Sequence, residues 1–526
     1  MLDPKLDPRL DPRQDEPSLS DSSTSDSNSS DPQQPDIKRS QLLWHSTIVL
    51  LCFSSLMLGG MLLNPASFHK FFFLPVNLPI ENSRISYYWD VASYAHLALK
   101  PTCSAFYPLW PNLIRQLFSP PTIDEAARYF LGVASIFFIV SIPLLLITLR
   151  KTLKNDSLAL GIALLYTLSP MAIFRVIGYT ESLFSLLSLC LLFLLLQDSQ
   201  KPRKRLIPCI LGGLFCLSGL LSLTRPILLQ IGGASIASLV CVGICDGLTS
   251  QQYDRFWSLK GLKNYYDRYH FWVHVTLALI LGALAGYSVY GLFCWQENGD
   301  FFSPFTQQKL WNKKLAFHPG LLFSSRSPLV DLLGLYFPFL LVFFALHGIV
   351  QTLSLPRIAE WIARWIKPKP KPTLKFKPNL NLNFKLIPVK ISAVIAFYPP
   401  LWIVAHLIFN QVSKNRVPYS PSHPSSIVPS PEIKRQPLPL WANQYAFWFC
   451  LYFAAAHSVL VFFTQNRLVS LARYVFGQPF VFFALAYLFA EIDRKPQRFL
   501  LSWGWVISGL FLLDQWLRYG VHKWLG

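Results

Sequence analysis

Charged residues are scarce in this chain. They make up 14% of its 526 residues, whereas 52% are hydrophobic. Soluble domains interleave charge far more often. Several apolar runs reach about 20 residues, which is enough to cross the hydrocarbon core of a bilayer as helices. This composition excludes a soluble globular protein and predicts an all-α polytopic membrane protein.

Acidic residues are especially few. Of the 27 Asp and Glu residues, nine lie in the first 41 positions, which leaves 18 elsewhere. The chain starts with a repeated tetrapeptide, LDPK-LDPR-LDPR, followed by a Ser- and Asp-rich stretch. A proline at every fourth position excludes a helix, and no apolar side chains are available for a core. Residues 1–41 are therefore predicted to be a disordered cytoplasmic tail rather than a cleaved signal peptide.

Clustered metal ligands are also missing. The nine cysteines are scattered, and most lie inside apolar runs. Cys241 and Cys245 are four residues apart, but no His or Cys group completes a metal site, so buried free thiols are expected. The net charge of +20 would indicate a nucleic-acid partner in a soluble protein. Here the Lys and Arg lie in short loops beside apolar runs, so membrane orientation and lipid headgroups explain them and no nucleic-acid partner is expected.

Eleven apolar runs are predicted to span the membrane. They are 43–63, 130–149, 157–174, 181–197, 206–223, 227–245, 270–294, 330–352, 443–463, 470–491 and 499–519. Basic loops place the N-terminus in the cytoplasm and residues 64–129 outside. The basic segment 353–390 is then a cytoplasmic loop, and 410–441 is a Pro- and Ser-rich loop. The apolar stretch 391–409 is predicted to be re-entrant, because a full crossing would place the basic residues after Asp493 outside.

One external acid lies among aromatic residues. Residues 88–111 read YWDVASYAHLALKPTCSAFYPLWP, and the apolar positions after Asp90 have helical spacing. This pattern predicts a short helix along the membrane surface that starts near Asp90. Two interpretations of Asp90 follow. It is either an N-cap carboxylate or a general base that faces a membrane-proximal cavity.

Three more charged residues lie at external ends of predicted spans. Glu181 and Arg473 each begin a span, and Arg225 lies in a tight turn between two spans. The structural interpretation is that the acid caps a helix and the arginines reach lipid headgroups. The functional interpretation is a shared site, in which cations bind a lipid-linked phosphate and an acid takes a hydroxyl proton.

A polar external loop follows the seventh predicted span. Residues 298–314 read NGDFFSPFTQQKLWNKK. A surface amphipathic helix is one interpretation. The other is that this loop joins the external site that contains Asp90.

Four motifs, in this order, resemble the GPI mannosyltransferase II (PIG-V type) family, which belongs to the GT-C superfamily of integral-membrane glycosyltransferases. They are Trp89-Asp90 with AFYPLWP (105–111), Ser169-Pro170 with YTESLF (179–184), Leu223-Thr224-Arg225, and Gly299-Asp300 … Gln308 … Trp311 with SLARY (470–474). The set covers roughly residues 42–491. The stretch between Ala98 and Ala105 lacks the Gly-Tyr and acid of the family, and Thr180 stands where Ser is commoner.

The resemblance implies a GT-C-like fold and inverting transfer of a hexose, with mannose expected, from a polyprenyl-phosphate donor on the external or lumenal face. It implies that Asp90 deprotonates the acceptor hydroxyl. The phosphate leaves already charged, so cations rather than a general acid assist it. Arg225, Arg473 and Lys313 or Lys314 are the candidates, and no metal or other cofactor is expected. The other predicted substrate-binding residues are Trp89, Tyr107, Trp110, Glu181, Asp300, Gln308 and Trp311.

Two other classes of protein stay open. A transporter or lipid flippase would have inverted repeats and polar groups near the bilayer midplane, whereas no repeat is visible here. Asp331 and Asp514 lie in predicted spans without an evident partner. A non-catalytic assembly subunit would tolerate loss of Asp90. Expected partners are membrane lipids, the sugar donor and a membrane-bound acceptor, with a small membrane subunit left open. The compartment is a bacterial cell membrane or the endoplasmic reticulum membrane.

Overall fold

The structure is a computed structural model. It describes residues 34–63, 90–153, 155–197, 206–249, 259–307, 316–318, 320–321, 328–352, 439–464, 468 and 470–520. The chain divides into two units, Met1–Gln41 and Leu42–Gly526. In the first unit only the start of one helix is described, so the predicted tail lies otherwise outside the described residues. The second unit contains the rest of that helix and all elements that follow.

Helices are the only regular secondary structure in the described ranges. The α-helices are α1 (Gln34–Leu63), α2 (Asp90–Leu99), α3 (Leu109–Phe118), α4 (Ile123–Leu153), α5 (Asp156–Thr167), α6 (Glu181–Leu195), α7 (Ile207–Thr224), α8 (Leu228–Thr249), α9 (Leu259–Asn298), α10 (Ser303–Thr306), α11 (Leu329–Thr352), α12 (Tyr445–Thr464), α13 (Leu471–Phe476), α14 (Phe480–Ala490) and α15 (Arg494–Gly520). Two 3-10 helices, Pro170–Arg175 and Leu440–Asn443, precede α6 and α12.

Eight helices are long and apolar enough to cross a membrane. Their candidate spans are Ser40–Leu63, Ile123–Leu153, Ile207–Thr224, Leu228–Asp246, Tyr269–Asn298, Leu329–Ile349, Tyr445–Thr464 and Arg494–Tyr519. The prediction of an all-helical multi-pass membrane protein is therefore confirmed. The other three predicted spans correspond to the shorter apolar helices α5, α6 and α14. The predicted re-entrant stretch 391–409 and the loops on either side of it lie outside the described residues.

Two of the predicted spans are broken. The run 157–174 becomes α5 and a 3-10 helix, and the run 470–491 becomes α13 and α14. Pro170 and Pro479 lie at these breaks. Proline has no N–H for the helical ladder and disfavours the helical conformation in the residue before it. The apolar runs alone predict unbroken spans. Each break coincides with a proline, although Pro143 and Pro338 lie inside α4 and α11 without ending those helices.

Glycine lets α7 and α9 pack with their backbones in contact. A Cβ atom on Gly286 would collide with the carbonyl of Gly219. In the same interface the Ser218 hydroxyl donates to the carbonyl of Leu279 at 2.6 Å. Small residues permit this approach between membrane helices, which gain little from hydrophobic burial in lipid. The end of α7, which leads into Arg225, is thereby held against α9.

A disulfide holds the loop after α2 to the end of α9. Cys103 and Cys294 form this bond, so the expectation of free thiols is wrong for these two residues. The Tyr290 hydroxyl, on the preceding turn of α9, donates to the carbonyls of Ser104 and Phe106 at 2.7 and 3.0 Å. Disulfides persist in oxidising compartments, which agrees with the external location predicted for this loop.

Candidate functional site

Helix α2 carries Asp90 as its first residue. The buried residues of this helix recur at the spacing of one helical face: Val91, Tyr94, Ala95 and Ala98. The ring of Tyr94 packs edge-on against that of Phe106, with centroids 5.3 Å apart. The apolar face fixes the helix, and the Asp90 side chain stays 23% exposed.

The turn before α6 positions Glu181. Gly178 in this turn has a φ angle of 86°, a conformation that favours glycine. Its carbonyl accepts a hydrogen bond from Nε1 of the buried Trp110 at 3.0 Å. Trp110 therefore connects α3 to the turn from which Glu181 begins α6.

Helix α13 carries Arg473, and a buried acid from α11 caps it. Asp331 is completely buried, and its carboxylate accepts hydrogen bonds from the backbone N–H groups of Ser470 and Ala472 at 3.1 and 2.8 Å. A carboxylate at a helix N-terminus pairs with N–H groups that have no partner in the helix and complements the helix dipole. Asp331 thus sets the position of α13 and, with it, that of Arg473.

Arg175, from the first 3-10 helix, holds the other end of α13. Its side chain is fully buried and donates to the carbonyls of Phe476 at 2.8 Å and Gly477 at 3.3 Å. It also donates to the carbonyl of Tyr166 at 2.8 Å. Carbonyls at a helix end lack intrahelical partners, so one guanidinium pairs with the carbonyls exposed at two helix breaks. The two broken runs are therefore joined at the C-terminal end of the helix that carries Arg473.

Four charged side chains meet at these helix ends. Nη1 of Arg473 lies 2.6 Å from Oδ2 of Asp90. Nε of Arg473 and Nη2 of Arg225 both contact the same oxygen, Oε1 of Glu181. We call Asp90, Glu181, Arg225 and Arg473 the ion network. Asp90 and Arg473 are 383 residues apart in the sequence.

The charges of the ion network balance, and their exposure differs. The side chain of Glu181 is 0% exposed and those of both arginines are 6% exposed, whereas that of Asp90 is 23% exposed. Removing a charge from water is costly unless the charge is paired, so Glu181 with its two arginines forms the interior of the network. Asp90 is the member most accessible to a molecule in solution.

Several buried polar atoms in or next to the ion network have no hydrogen-bond partner in the described part of the chain. They are Glu181 Oε2, Arg225 Nη1, and the hydroxyls of Tyr179 and Ser182. Such an atom costs about 1–3 kcal/mol when it stays unpaired. By contrast, Nε and Nη2 of Arg225 both donate to the Thr180 hydroxyl, at 3.1 and 2.9 Å. The site therefore has unused donor and acceptor capacity, as a site for a polar ligand requires.

Aromatic rings surround the guanidinium groups. The Arg473 guanidinium lies 4.5 Å from the ring centroid of Tyr179, and that of Arg225 lies 5.4 Å from that of Tyr474. These distances allow cation–π attraction, which is stronger away from water. Burial, followed by the Asp90 carboxylate, raises the pKa of Tyr179 well above its usual range. The phenol therefore stays protonated and keeps its capacity to donate a hydrogen bond.

The structure brings together four of the predicted site residues, those of the ion network, and places three others elsewhere. The Tyr107 ring packs 5.2 Å from that of Tyr290, and Trp110 lies in a separate apolar cluster. Asp300 accepts hydrogen bonds from the Phe302 N–H at 2.8 Å and the Thr306 hydroxyl at 3.1 Å, which hold the turn before α10 against that helix. These contacts are structural, and the substrate-binding roles of the three residues stay predictions.

Four predicted site residues lie outside the described residues: Trp89, Gln308, Trp311 and Lys313. The alternative cation Lys314 lies outside them as well. Nothing in the described ranges bears on their roles.

The sequence interpretation missed the residues that position the ion network. Thr180, Arg175 and Asp331 were not predicted to contribute to it, although a charge inside an apolar run is a signal for a buried partner. Asp331 had no evident partner in the sequence because its partners are backbone N–H groups, which every residue except proline has. The other unpartnered acid, Asp514, pairs with Arg518 one turn later at 2.7 Å.

The described residues contain no group of three or more His, Cys, Asp or Glu arranged to hold a metal ion. Independence from a metal stays a prediction. Comparisons with known protein families, with curated proteins and with solved structures found no match for this chain. The ion network and its surroundings are therefore the features that indicate a function.

Proposed function

We propose that the protein is an inverting membrane glycosyltransferase. It transfers a hexose, expected to be mannose, from a polyprenyl-phosphate-linked donor to a (glyco)lipid or related acceptor on the external or lumenal face. The observation that supports this proposal is the ion network, in which a partly exposed acid contacts a buried guanidinium. A GT-C-like fold, with the short helices α5, α6 and α14 completing the spans, belongs to the same proposal.

In the proposed reaction Asp90 acts on the acceptor. Its carboxylate takes the proton of the acceptor hydroxyl while the hydroxyl oxygen forms a bond to the anomeric carbon of the donor sugar. The bond between that carbon and the phosphate oxygen breaks through an oxocarbenium-like transition state, and the bonding electron pair leaves with the phosphate. Arg473 and Arg225 stabilise the charge on the departing polyprenyl phosphate.

The ion pair between Asp90 and Arg473 in the resting protein implies that donor binding comes before proton transfer. Asp90 is paired with Arg473 through Oδ2, and the guanidinium leaves that oxygen when it binds another anion instead. A donor phosphate is such an anion, since guanidinium–phosphate contacts are bidentate and charge-assisted. Donor binding therefore releases the base, and transfer waits until the donor is in place.

A second candidate function is transport of a lipid or solute. The observation in its favour is that the ion network lies at two broken apolar runs, 157–174 and 470–491. Discontinuous helices form the substrate sites of many secondary transporters. The eight long helices suit an enzyme and a transporter equally.

One reconstitution separates the candidates. Purified full-length protein in liposomes is given radiolabelled polyprenyl-phosphate mannose and a phosphatidylinositol glycolipid acceptor. A transferase produces labelled glycolipid, and Asp90→Asn lowers the rate of product formation by about 10²–10⁴-fold. Movement of label across the bilayer without any product supports the transporter, and full activity of Asp90→Asn refutes the assignment of the base.

A further inference from the structure

A second buried polar cluster adjoins the ion network. His457 lies on α12 and is 7% exposed. Its two ring nitrogens each face a glutamine amide, that of Gln230 on α8 and that of Gln478 in the break between α13 and α14, both at 3.2 Å. A histidine with a partner at both nitrogens connects three separate segments of the protein.

The hydrogen bonds of the two glutamines define the tautomer of the imidazole. In the orientation that satisfies Gln230, its amide oxygen accepts from Nδ1 of His457, and its nitrogen donates to the carbonyls of Ile227 at 3.2 Å and Pro226 at 3.3 Å. Nδ1 therefore carries the proton. Nε2 is then an acceptor for the Gln478 amide nitrogen. A neutral imidazole satisfies the whole chain of bonds.

Each end of this chain reaches a segment that carries an arginine of the ion network. Pro226 and Ile227, whose carbonyls Gln230 binds, directly follow Arg225. At the other end, Gln478 follows Gly477, and the helix that carries Arg473 ends one residue before that glycine. The cluster is thus the connection between the backbone next to Arg225 and the backbone next to Arg473.

We infer that His457 is a positioning residue, which sets the distance between the two arginines through Gln230 and Gln478. Both guanidiniums contact one oxygen of Glu181, so a small relative shift of the two segments changes the shape of the anion site. Misplacement by about 1 Å is sufficient to cost roughly a hundredfold in rate. The structural part of this inference stands alone, whereas its effect on transfer rests on the proposed function.

Two substitutions each remove one half of the connection. In His457→Asn the shorter amide lies near the position of Nδ1 and keeps the contact with Gln230. In His457→Gln the longer amide reaches the position of Nε2 and keeps the contact with Gln478. Phenylglyoxal, which modifies guanidinium groups, then reports how often each arginine is released from the ion network. Modification of Arg225 and of Arg473 is measured separately by mass spectrometry of the full-length protein in detergent.

We expect a different response at each arginine. Losing one buried hydrogen bond raises the population of the opened segment roughly tenfold. In His457→Asn this rise occurs mainly at Arg473, and in His457→Gln mainly at Arg225. If the transferase activity is present, kcat falls by about ten- to hundredfold in both variants.

Tyr445→Phe is the matched control. Tyr445 is a buried residue of α12. Its hydroxyl contacts Thr276 at 2.9 Å and the carbonyl of Ser235 at 3.2 Å. Neither of these residues lies in the backbone next to Arg225 or next to Arg473. We expect this variant to leave the modification of both arginines unchanged.

Equal rises at both arginines in either His457 variant, or no rise, would overturn the inference. If a His457 variant does not fold, Gln230→Leu and Gln478→Leu replace it, with the rise expected at Arg225 and Arg473 respectively. A wild-type protein without transferase activity contradicts the proposed function, while the modification pattern still decides the role of His457.

Discussion

The proposed mechanism assigns two tasks to the Asp90 carboxylate: it takes a proton, and it pairs with Arg473 until the donor binds. Asp90→Asn affects the two tasks in opposite directions, so two measurements distinguish them. The substitution removes a negative charge and the ability to take a proton, and it keeps the size of the side chain. In the resting protein Oδ2 of Asp90 pairs with Nη1 of Arg473 at 2.6 Å. The variant therefore lacks the base for sugar transfer, yet it leaves the Arg473 guanidinium available to the donor phosphate. We expect slower transfer together with tighter phosphate binding.

The size of both effects follows from the exposure of the pair. A hydrogen bond to a charged group contributes about 1.5–3 kcal/mol when buried, whereas an exposed ion pair contributes about 0–1 kcal/mol. With Asp90 23% exposed and Arg473 6% exposed, the pair falls between these cases. We take about 1–2 kcal/mol, which is a five- to thirtyfold lower Kd for the phosphate. Loss of a general base lowers the transfer rate by about 10²–10⁴-fold.

The assay is equilibrium binding of a fluorescent short-chain polyprenyl phosphate to the purified protein, alongside transfer from the radiolabelled donor. Asp124→Asn is the control. Asp124 is an exposed acid in the first turn of α4, and its substitution removes the same charge outside the ion network. Unchanged or weaker phosphate binding in Asp90→Asn would refute the competition for Arg473. If Asp124→Asn also binds the phosphate more tightly, the lower Kd results from the change in net charge and not from the release of Arg473.

Three further substitutions test the supports of the site. Glu181→Gln leaves two buried arginines with one carboxylate, so we expect a loss of about 3–5 kcal/mol in stability, measured as a lower Tm than that of Asp90→Asn. Trp110→Phe keeps an aromatic ring but loses the bond to the Gly178 carbonyl, which costs about 1 kcal/mol and lowers transfer, measured by Tm and kcat. Cys103→Ser with Cys294→Ser frees the loop after α2 and costs about 2–5 kcal/mol; dithiothreitol then lowers the Tm of the wild type but not that of the double variant.

Each of these expectations has a result that contradicts it. A Tm for Glu181→Gln equal to that of the wild type would mean that the arginines do not depend on this acid. Wild-type transfer in Trp110→Phe would remove the turn before α6 from the positioning of the site. A double variant with the same Tm as the wild type would show that the disulfide does not contribute to stability.

The hydrophobic pattern predicts most of the helices because it depends only on neighbouring residues. Eight apolar runs correspond to long helices, and the spacing after Asp90 matches the buried face of α2. The pattern fails at Pro170 and Pro479, where the backbone breaks inside an apolar run. Average apolarity does not register the single missing N–H group that ends a helix.

By itself, the sequence determined that this is a helical membrane protein. It also identified Asp90, Glu181, Arg225 and Arg473 as charges near the ends of predicted spans that required an explanation. Only the tertiary structure decided their pairing: Glu181 between two arginines, and Asp90 as the more exposed partner of Arg473. It also decided the Cys103–Cys294 bond, the capping role of Asp331 and the bridge through His457. These contacts join residues far apart in the chain. Their geometry depends on how whole helices pack, and a periodicity read along one segment contains no information about which other segment lies beside it.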